Sequence, residues 1–376
     1  MTWKIPLFKI YWDEEDVKAV TEAIKAGMNW AVGPNVEDFE DLIANYVGTK
    51  YAVTFNSGTS ALHAALLAYG IKKGDAVIVP SFTFIATANT PLFVGAKPVF
   101  GDIEEETFGL DPEDVKAKIT KKTKAIIPIH YGGGSCKIRE LKEIAEDHNL
   151  ILIEDAAESL GARIGDKKVG SFGDSAMFSF CQNKIITTGD GGAIVTNTKK
   201  IYEKLKLIRS HGRLETSDYF SSTEYMDYVT LGYNFRMSNI TAALGVAQLK
   251  KADNVIEMRR KNAEYLTARL KREIKEIMTP YSPNEYYHVY QMYTIMVDNR
   301  DELMKYLADK GIMTKVYFSP VHLTHFYKNE LEYASKLPVT EEISKQVLTL
   351  PMYPTLTKEE IDFIKNKIKC FFEVPR

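Results

Sequence analysis

The chain has 376 residues, enough for two domains or for one large domain with a smaller appendage, and its 45% hydrophobic and 26% charged content is that of a globular protein with a sizeable core. With 48 basic and 50 acidic residues the net charge is −2, which gives no electrostatic basis for nucleic acid or an anionic membrane as partner. Three scattered cysteines, Cys136, Cys181 and Cys370, make neither a disulfide framework nor a zinc spacing and fit a reducing cytoplasm, and no apolar run approaches the roughly 18 residues that span a bilayer.

The N-terminal stretch lacks a basic segment followed by a long apolar run, so no signal peptide is expected. Asp13 to Lys25 reads as a helix with acids in its first turn, stopped by Gly27. Val36 to Tyr46 is a second amphipathic helix, with Phe39, Leu42 and Ile43 on one face. Tyr51 to Phe55 is a short strand that runs into Asn56-Ser57-Gly58-Thr59-Ser60 and a helix over Ala61 to Tyr69. A strand, a small polar turn and a helix N-terminus make an anion site, because free N–H groups and hydroxyls converge there; the plainer reading is an N-cap with a satisfied Ser or Thr. The GxxxxGK[ST] pattern is absent, so this is not a Walker loop.

From here strands and helices alternate. Strands are expected over Ala76–Val79, Pro98–Phe100, Ala125–Ile129 and Leu150–Ile153, with helices over Ile85–Val94, Pro112–Lys118 and Arg139–His148. Such alternation means a largely parallel sheet covered on both faces, with ligands at the carboxyl ends of its strands. Phe82, His130 and Asp155 stand at such ends. Each also has a plainer reading: an aromatic of the core, a hydrogen-bonded structural histidine, a turn or cap aspartate.

Ala176 to Phe180 is strand-like and delivers Cys181-Gln182-Asn183-Lys184; a glycine-rich bend, Gly189 to Gly192, and a second apolar run, Ala193 to Thr196, follow. A lysine between two apolar strands is unusual. Burial disfavours the ammonium form and makes the neutral amine a nucleophile suited to a Schiff base; taken alone, an exposed lysine on a loop is the plainer reading. Lys199 to Arg209 is a charged helix, and Leu214 to Tyr228 is a candidate mobile loop. A long helix from Ile240 to about Arg272, interrupted near Ala252-Asp253, is expected to bridge two domains, 1–250 and 251–376. The second contains strands over Tyr290–Val297 and Met313–Phe318, a helix over Asp301–Lys310, and a final helix over Thr357–Phe372.

A reactive lysine, an aspartate able to hold a pyridinium, a Ser-Gly-Thr turn with Ser179 for a phosphate, and an aromatic to cover a ring are the parts a protein supplies to pyridoxal phosphate (PLP). The segments FNSGTSALHAALLA (55–68), GDAVIVPSFTFIATANT (74–90), IEDAAESLGA (153–162), NKIITTGDGGAIVTN (183–197) and GYNFRMSNITAALGVAQL (232–249) carry a closer likeness. With them the sequence resembles, over essentially its whole length, the sugar aminotransferases of the DegT/DnrJ/StrS family.

The resemblance implies an α/β, three-layer PLP-transferase (aspartate-aminotransferase-like) large domain with a mainly parallel central sheet, plus a small C-terminal α/β domain. It implies Lys184 as the Schiff-base lysine and proton shuttle, and Asp155 as partner of the pyridine nitrogen. Ser57, Gly58, Thr59 and Ser179 would hold the cofactor phosphate, Phe82 would stack on the ring, and Glu158 would sit near the ring hydroxyl. Asn234 would reach the phosphate from the other subunit of a homodimer, and Tyr317 and His322 would approach the substrate. That substrate would be a nucleotide-linked keto-deoxysugar, with L-glutamate as amino donor and the pyridoxamine form as intermediate. Position 4 of a 4-keto-6-deoxyhexose is the first expectation; a 3-keto sugar or amino-cyclitol ketone, a PLP-dependent sugar dehydratase and a sensory family member are the alternatives. Cys181-Gln182 in place of a histidine-proline pair, and Gly189-Asp190-Gly191-Gly192 in place of GEGG, depart from the family pattern.

Overall fold

The computed structural model describes residues 3–214, 222–223 and 225–373. Two helices open the chain, α1 (Glu14–Lys25) and α2 (Pro34–Val47). Asp13 and Asp16 form a reciprocal capping box at the start of α1, and Gly48 ends α2 in the left-handed region at φ 87°. The alternating part follows: β1 (Tyr51–Phe55), α3 (Gly58–Tyr69), β2 (Ala76–Pro80), α4 (Ile85–Phe93), β3 (Lys97–Gly101), α5 (Pro112–Lys118), β4 (Thr123–Ile126), α6 (Ile138–Asp147) and β5 (Ile151–Asp155). A small hairpin of β6 (Arg163–Ile164) and β7 (Lys167–Lys168) precedes β8 (Ser175–Ser179), β9 (Gly192–Thr196) and α7 (Lys199–Arg209).

These strands form one seven-stranded sheet in the order β1-β9-β8-β5-β4-β2-β3. The pairs from β8 to β3 are parallel, whereas β9 runs antiparallel to both its neighbours. The expected mainly parallel sheet is therefore present, with one reversed strand inside it. Alternation along each strand divides its side chains between two faces. Val77 and Val79 join Val53, Phe55 and Ile194 under Leu62 and Leu66 of α3, Ala88 of α4 and Leu205 of α7. On the opposite face Ala52, Ala176, Phe178 and Val195 pack with Phe39 and Ile43 of α2, while Ile78, Ile126 and Leu152 meet Leu141 and Ile144 of α6.

The expected long helix is two, α8 (Asn239–Lys250) and α9 (Ala252–Glu273), separated at Lys251. Beyond them lie β10 (Tyr286–Tyr287), which pairs with β6, then β11 (Tyr293–Met296), α10 (Arg300–Asp309), α11 (Pro338–Gln346), β12 (Val347–Leu350) and α12 (Lys358–Glu373). β11 and β12 form a two-stranded sheet whose core includes Leu266 of α9, Leu303 of α10 and Ile364 of α12. The strand expected over Met313–Phe318 is not formed; Ile312 and Lys315 make only isolated bridges, to Ile5 and Thr349. Residues 321–340 return to the large sheet: Val321 N–H donates to Ser81 O at 2.9 Å, and Thr340 N–H to Asp102 Oδ1 at 2.8 Å. The loop expected over 214–228 lies partly outside the described residues. Among those described, no helix is long and apolar enough to cross a membrane.

Candidate active site

The register of three neighbouring strands builds the anion cradle. Phe55, the last residue of β1, pairs with Gly192, and Gly192 pairs with Ser179, the last residue of β8. The turn after β1 then folds across β9 toward Ser179. A Cβ on Gly192 would lie 2.6 Å from the Gly58 nitrogen, so that position needs glycine for the backbone to pass, and one on Gly58 would lie only 3.3 Å from Ser179 Cβ. Ser57 Oγ accepts the Ser60 N–H at 3.1 Å and caps α3. The first N–H groups of α3, at Gly58 and Thr59, have no intrahelical partner by geometry and face an anion favourably. Ser57, Gly58, Thr59 and Ser179 are thus brought together.

Asp155 ends β5 beside Met177 of β8 and is 3% exposed. Thr87 of α4 donates its hydroxyl to Oδ2 at 2.7 Å, and the Ala157 N–H reaches Oδ1 at 3.2 Å. Burial pushes the carboxyl up, against the pull of Thr87, that N–H and the Lys184 charge. A buried carboxylate held from two sides, with no ion pair among the described residues, is suited to a protonated heterocyclic nitrogen.

Lys184 stands in the excursion between β8 and β9. The turn closes through Lys184 N–H to Cys181 O and Thr188 N–H to Phe180 O, both at 3.0 Å. The lysine side chain is 15% exposed, and its Nζ lies 3.7 Å from Glu158 Oε1. Gly132 donates its N–H to the other oxygen, Oε2, at 2.9 Å. Burial raises the Glu158 carboxyl, while Lys184 and the Gly132 N–H pull it down. Tyr317 is half-buried in the same region; burial and the Glu158 carboxylate push its phenol up.

Two expected site residues are placed elsewhere. Phe82 has no exposed surface: Tyr131 stacks on it at 5.2 Å between centroids, and Phe108 and Phe318 meet it edge-on. A ring so enclosed has no face for a ligand. Two residues on, Phe84 is 60% exposed at the N-cap of α4, one turn before Thr87. A sequence reading that weighed the helix start as well as the strand end selects it. His322 is 1% exposed, with Nδ1 bonded to Ser81 Oγ at 2.7 Å and Nε2 3.4 Å from Glu341 Oε1. Both ring nitrogens have partners, so His322 ties residues 321–341 to the end of β2. His130 is buried as well; its Nδ1 accepts the Cys136 N–H and its Nε2 meets Glu154, a carboxylate that also takes the N–H groups of Gly170, Phe172 and Gly173. Its structural reading holds. Asn234 is exposed, and its carbonyl lies 3.4 Å from Asn56 Nδ2 of its own chain, next to the Ser57 turn.

The cradle that a Cβ would fill, the doubly held buried carboxylate at the end of β5, and the enclosed lysine in the turn between β8 and β9 fit the phosphate, ring nitrogen and aldehyde of pyridoxal phosphate. Fold and site together define a PLP-dependent aminotransferase. The model of the DegT/DnrJ/EryC1/StrS aminotransferase family matches residues 11–369, and the chain belongs to that family. It is 36% identical to GDP-perosamine synthase of Vibrio cholerae, over 98% of this chain and 99% of that one. It is 33% identical to UDP-4-amino-4,6-dideoxy-N-acetyl-beta-L-altrosamine transaminase of Campylobacter jejuni, over 96% of each. Among solved structures, Helicobacter pylori PseC, an aminotransferase involved in the biosynthesis of pseudoaminic acid, superposes with a TM-score of 0.91 at 29% identity, covering 99% of this chain and 100% of that one.

Proposed function

We propose that the protein transfers an amino group from L-glutamate to a nucleotide-linked keto-deoxysugar, at position 4 of a 4-keto-6-deoxyhexose. The observation that carries the reading is Lys184 Nζ set 3.7 Å from Glu158 and near enough for its charge to act on the buried Asp155, whose strand β5 lies beside the β8 that ends at Ser179. The C. jejuni relative, whose name is that of a 4-amino-4,6-dideoxy sugar transaminase, supports position 4.

Bound PLP supplies an electron sink that stabilises negative charge at the carbon losing its proton. The chain's own residues do the rest. Ser57, Gly58, Thr59 and Ser179 hold the phosphate. Asp155, aligned by Thr87 and the Ala157 N–H, holds the proton on the ring nitrogen. Lys184 Nζ would link to the cofactor and, once freed, would serve as the base that moves the donor's alpha proton. Glu158 stands over Lys184 and the ring-hydroxyl side. Phe84, not Phe82, has a free face to offer the ring, and Tyr317 lines the route of the sugar. The reading includes a homodimer in which the exposed Asn234 side chain completes the neighbouring site, a two-domain division at 250/251 and a reducing cytoplasm.

The test is a visible spectrum of the protein with PLP before and after L-glutamate. A band that forms and then bleaches establishes the donor half-reaction, and a 4-keto-6-deoxy nucleotide sugar then restores it. A band that glutamate leaves untouched overturns the reading.

A further inference from the structure

Gln291 joins the C-terminal part of the chain to the Lys184 turn by a side-chain hydrogen bond. It precedes β11, is 6% exposed, and lies in a segment anchored on both sides. Val289 N–H donates to Gly133 O at 2.8 Å and Met292 N–H to Gly132 O at 2.9 Å. A Cβ on Gly133 would fall 2.7 Å from the Gln291 nitrogen, so the two backbones are in contact. From the other side, buried Arg259 of α9 donates to Tyr290 O at 3.2 Å and Met352 O at 2.9 Å. From this base the Gln291 side chain donates Nε2–H to the carbonyl of Asn183, the residue before Lys184. A carbonyl accepts only from the amide nitrogen, which fixes the orientation of the side chain. Oε1 is then buried with no hydrogen-bond partner among the described residues. A half-satisfied buried amide costs stability that an apolar side chain would not.

One segment thus bears on Lys184 from two directions. Through Met292 it holds the carbonyl of Gly132, the residue whose N–H orients Glu158; through Gln291 it holds the carbonyl of the peptide that enters Lys184. We propose that Gln291 is a positioning residue for Lys184. By fixing the Asn183–Lys184 peptide plane it sets the direction in which Nζ leaves the turn, relative to Glu158 and to the ring held by Asp155. The proposal rests on Lys184 being the reactive amine.

The experiment compares the PLP-loaded wild type with Gln291→Leu, which loses the donor, and Gln291→His, which retains an N–H. The readouts are visible circular dichroism per bound PLP, which reports the orientation of the chromophore, the rate at which L-glutamate bleaches the band, and the thermal midpoint. Gln291→Leu is expected to bind PLP, to lose about half or more of its visible dichroism, and to react about 10- to 100-fold more slowly; Gln291→His restores both to within about three-fold. A Gln291→Leu protein with wild-type dichroism overturns the proposal, whether its rate is normal or its thermal midpoint alone has fallen. So does a Gln291→His protein as impaired as Gln291→Leu. If Gln291→Leu fails to fold, Gln291→Glu decides the matter: its carboxylate opposes the Asn183 carbonyl at pH 8, so it must react more slowly than Gln291→His, and equal rates overturn the assignment. A wild type that forms no visible band with PLP overturns the Lys184 reading itself; a normal wild type with indifferent variants overturns this inference alone.

Discussion

Lys184 Nζ stands 3.7 Å from Glu158 Oε1, and the other oxygen of that carboxylate takes the Gly132 N–H at 2.9 Å. The carboxylate is buried, and burial outweighs these two favourable partners in setting its titration. A carboxyl raised by folding costs the native state stability once it is ionised. That cost is absent below the ordinary carboxylate range and complete above the raised value. Replacing Glu158 by Gln keeps an acceptor for Gly132 and removes the charge. The Glu158→Gln apoprotein is therefore expected to melt above the wild type at pH 8, with the advantage shrinking as pH falls and vanishing below the usual carboxylate range. Thermal unfolding of the two apoproteins across pH checks this, and a wild type more stable at pH 8 contradicts it.

Lys184→Ala removes the amine and leaves the turn, whose hydrogen bonds run through backbone groups. Turnover is expected to fall by at least about 10³-fold, with PLP still retained through the phosphate cradle. The absorbance of the bound cofactor should resemble free PLP in place of the lysine-linked form. Full activity in this variant would refute the assignment.

Thr87 reaches Asp155 from α4, 68 residues away in sequence. Thr87→Val keeps the shape and removes the donor, leaving Oδ2 one partner short. The expected loss is about ten-fold in the rate of the glutamate half-reaction. Asp155→Asn, which cannot keep a pyridinium proton in place, is expected to lose about a hundred-fold or more. Stopped-flow spectra of both with L-glutamate give the order; Thr87→Val slower than Asp155→Asn would remove Asp155 from its role.

Much of this architecture is legible in the residues. The apolar run Tyr51–Phe55 and the charged stretch Lys199–Arg209 coincide with β1 and α7. Asp155 stands out at the end of an apolar strand, and Lys184 between two apolar runs. The direction of β9 is not legible, since Ala193–Thr196 is as apolar as a parallel strand and periodicity carries no sign. The run Met313–Phe318 has strand-like residues but finds only isolated partners, Ile5 on one side and Thr349 on the other. The contact of Ser81 with His322 spans 241 residues, and no local pattern announces it. Gln291 is silent in the sequence for the same reason: its meaning lies in reaching Asn183, 108 residues away.

The two phenylalanines after β2 give the sharpest contrast between the sequence reading and the structure. Period-2 alternation places Phe82 and Phe84 alike, but the strand ends at Pro80 and α4 begins at Ile85, so the chain turns between them. Phe82 is left inside with Tyr131 and Phe84 outside, 60% exposed. Phe82→Ala should empty a fully buried site and cost about 3–5 kcal/mol of stability. Phe84→Ala should change apoprotein stability by no more than about 0.5 kcal/mol, as surface substitutions do. Its effect belongs to the cofactor: loss of a stacking face worth about 1 kcal/mol weakens PLP binding roughly five-fold. Thermal unfolding of the two apoproteins and PLP titration of each separate the roles. A stable Phe82→Ala protein with weak PLP binding, beside a Phe84→Ala protein that binds PLP normally, would return the ring contact to Phe82.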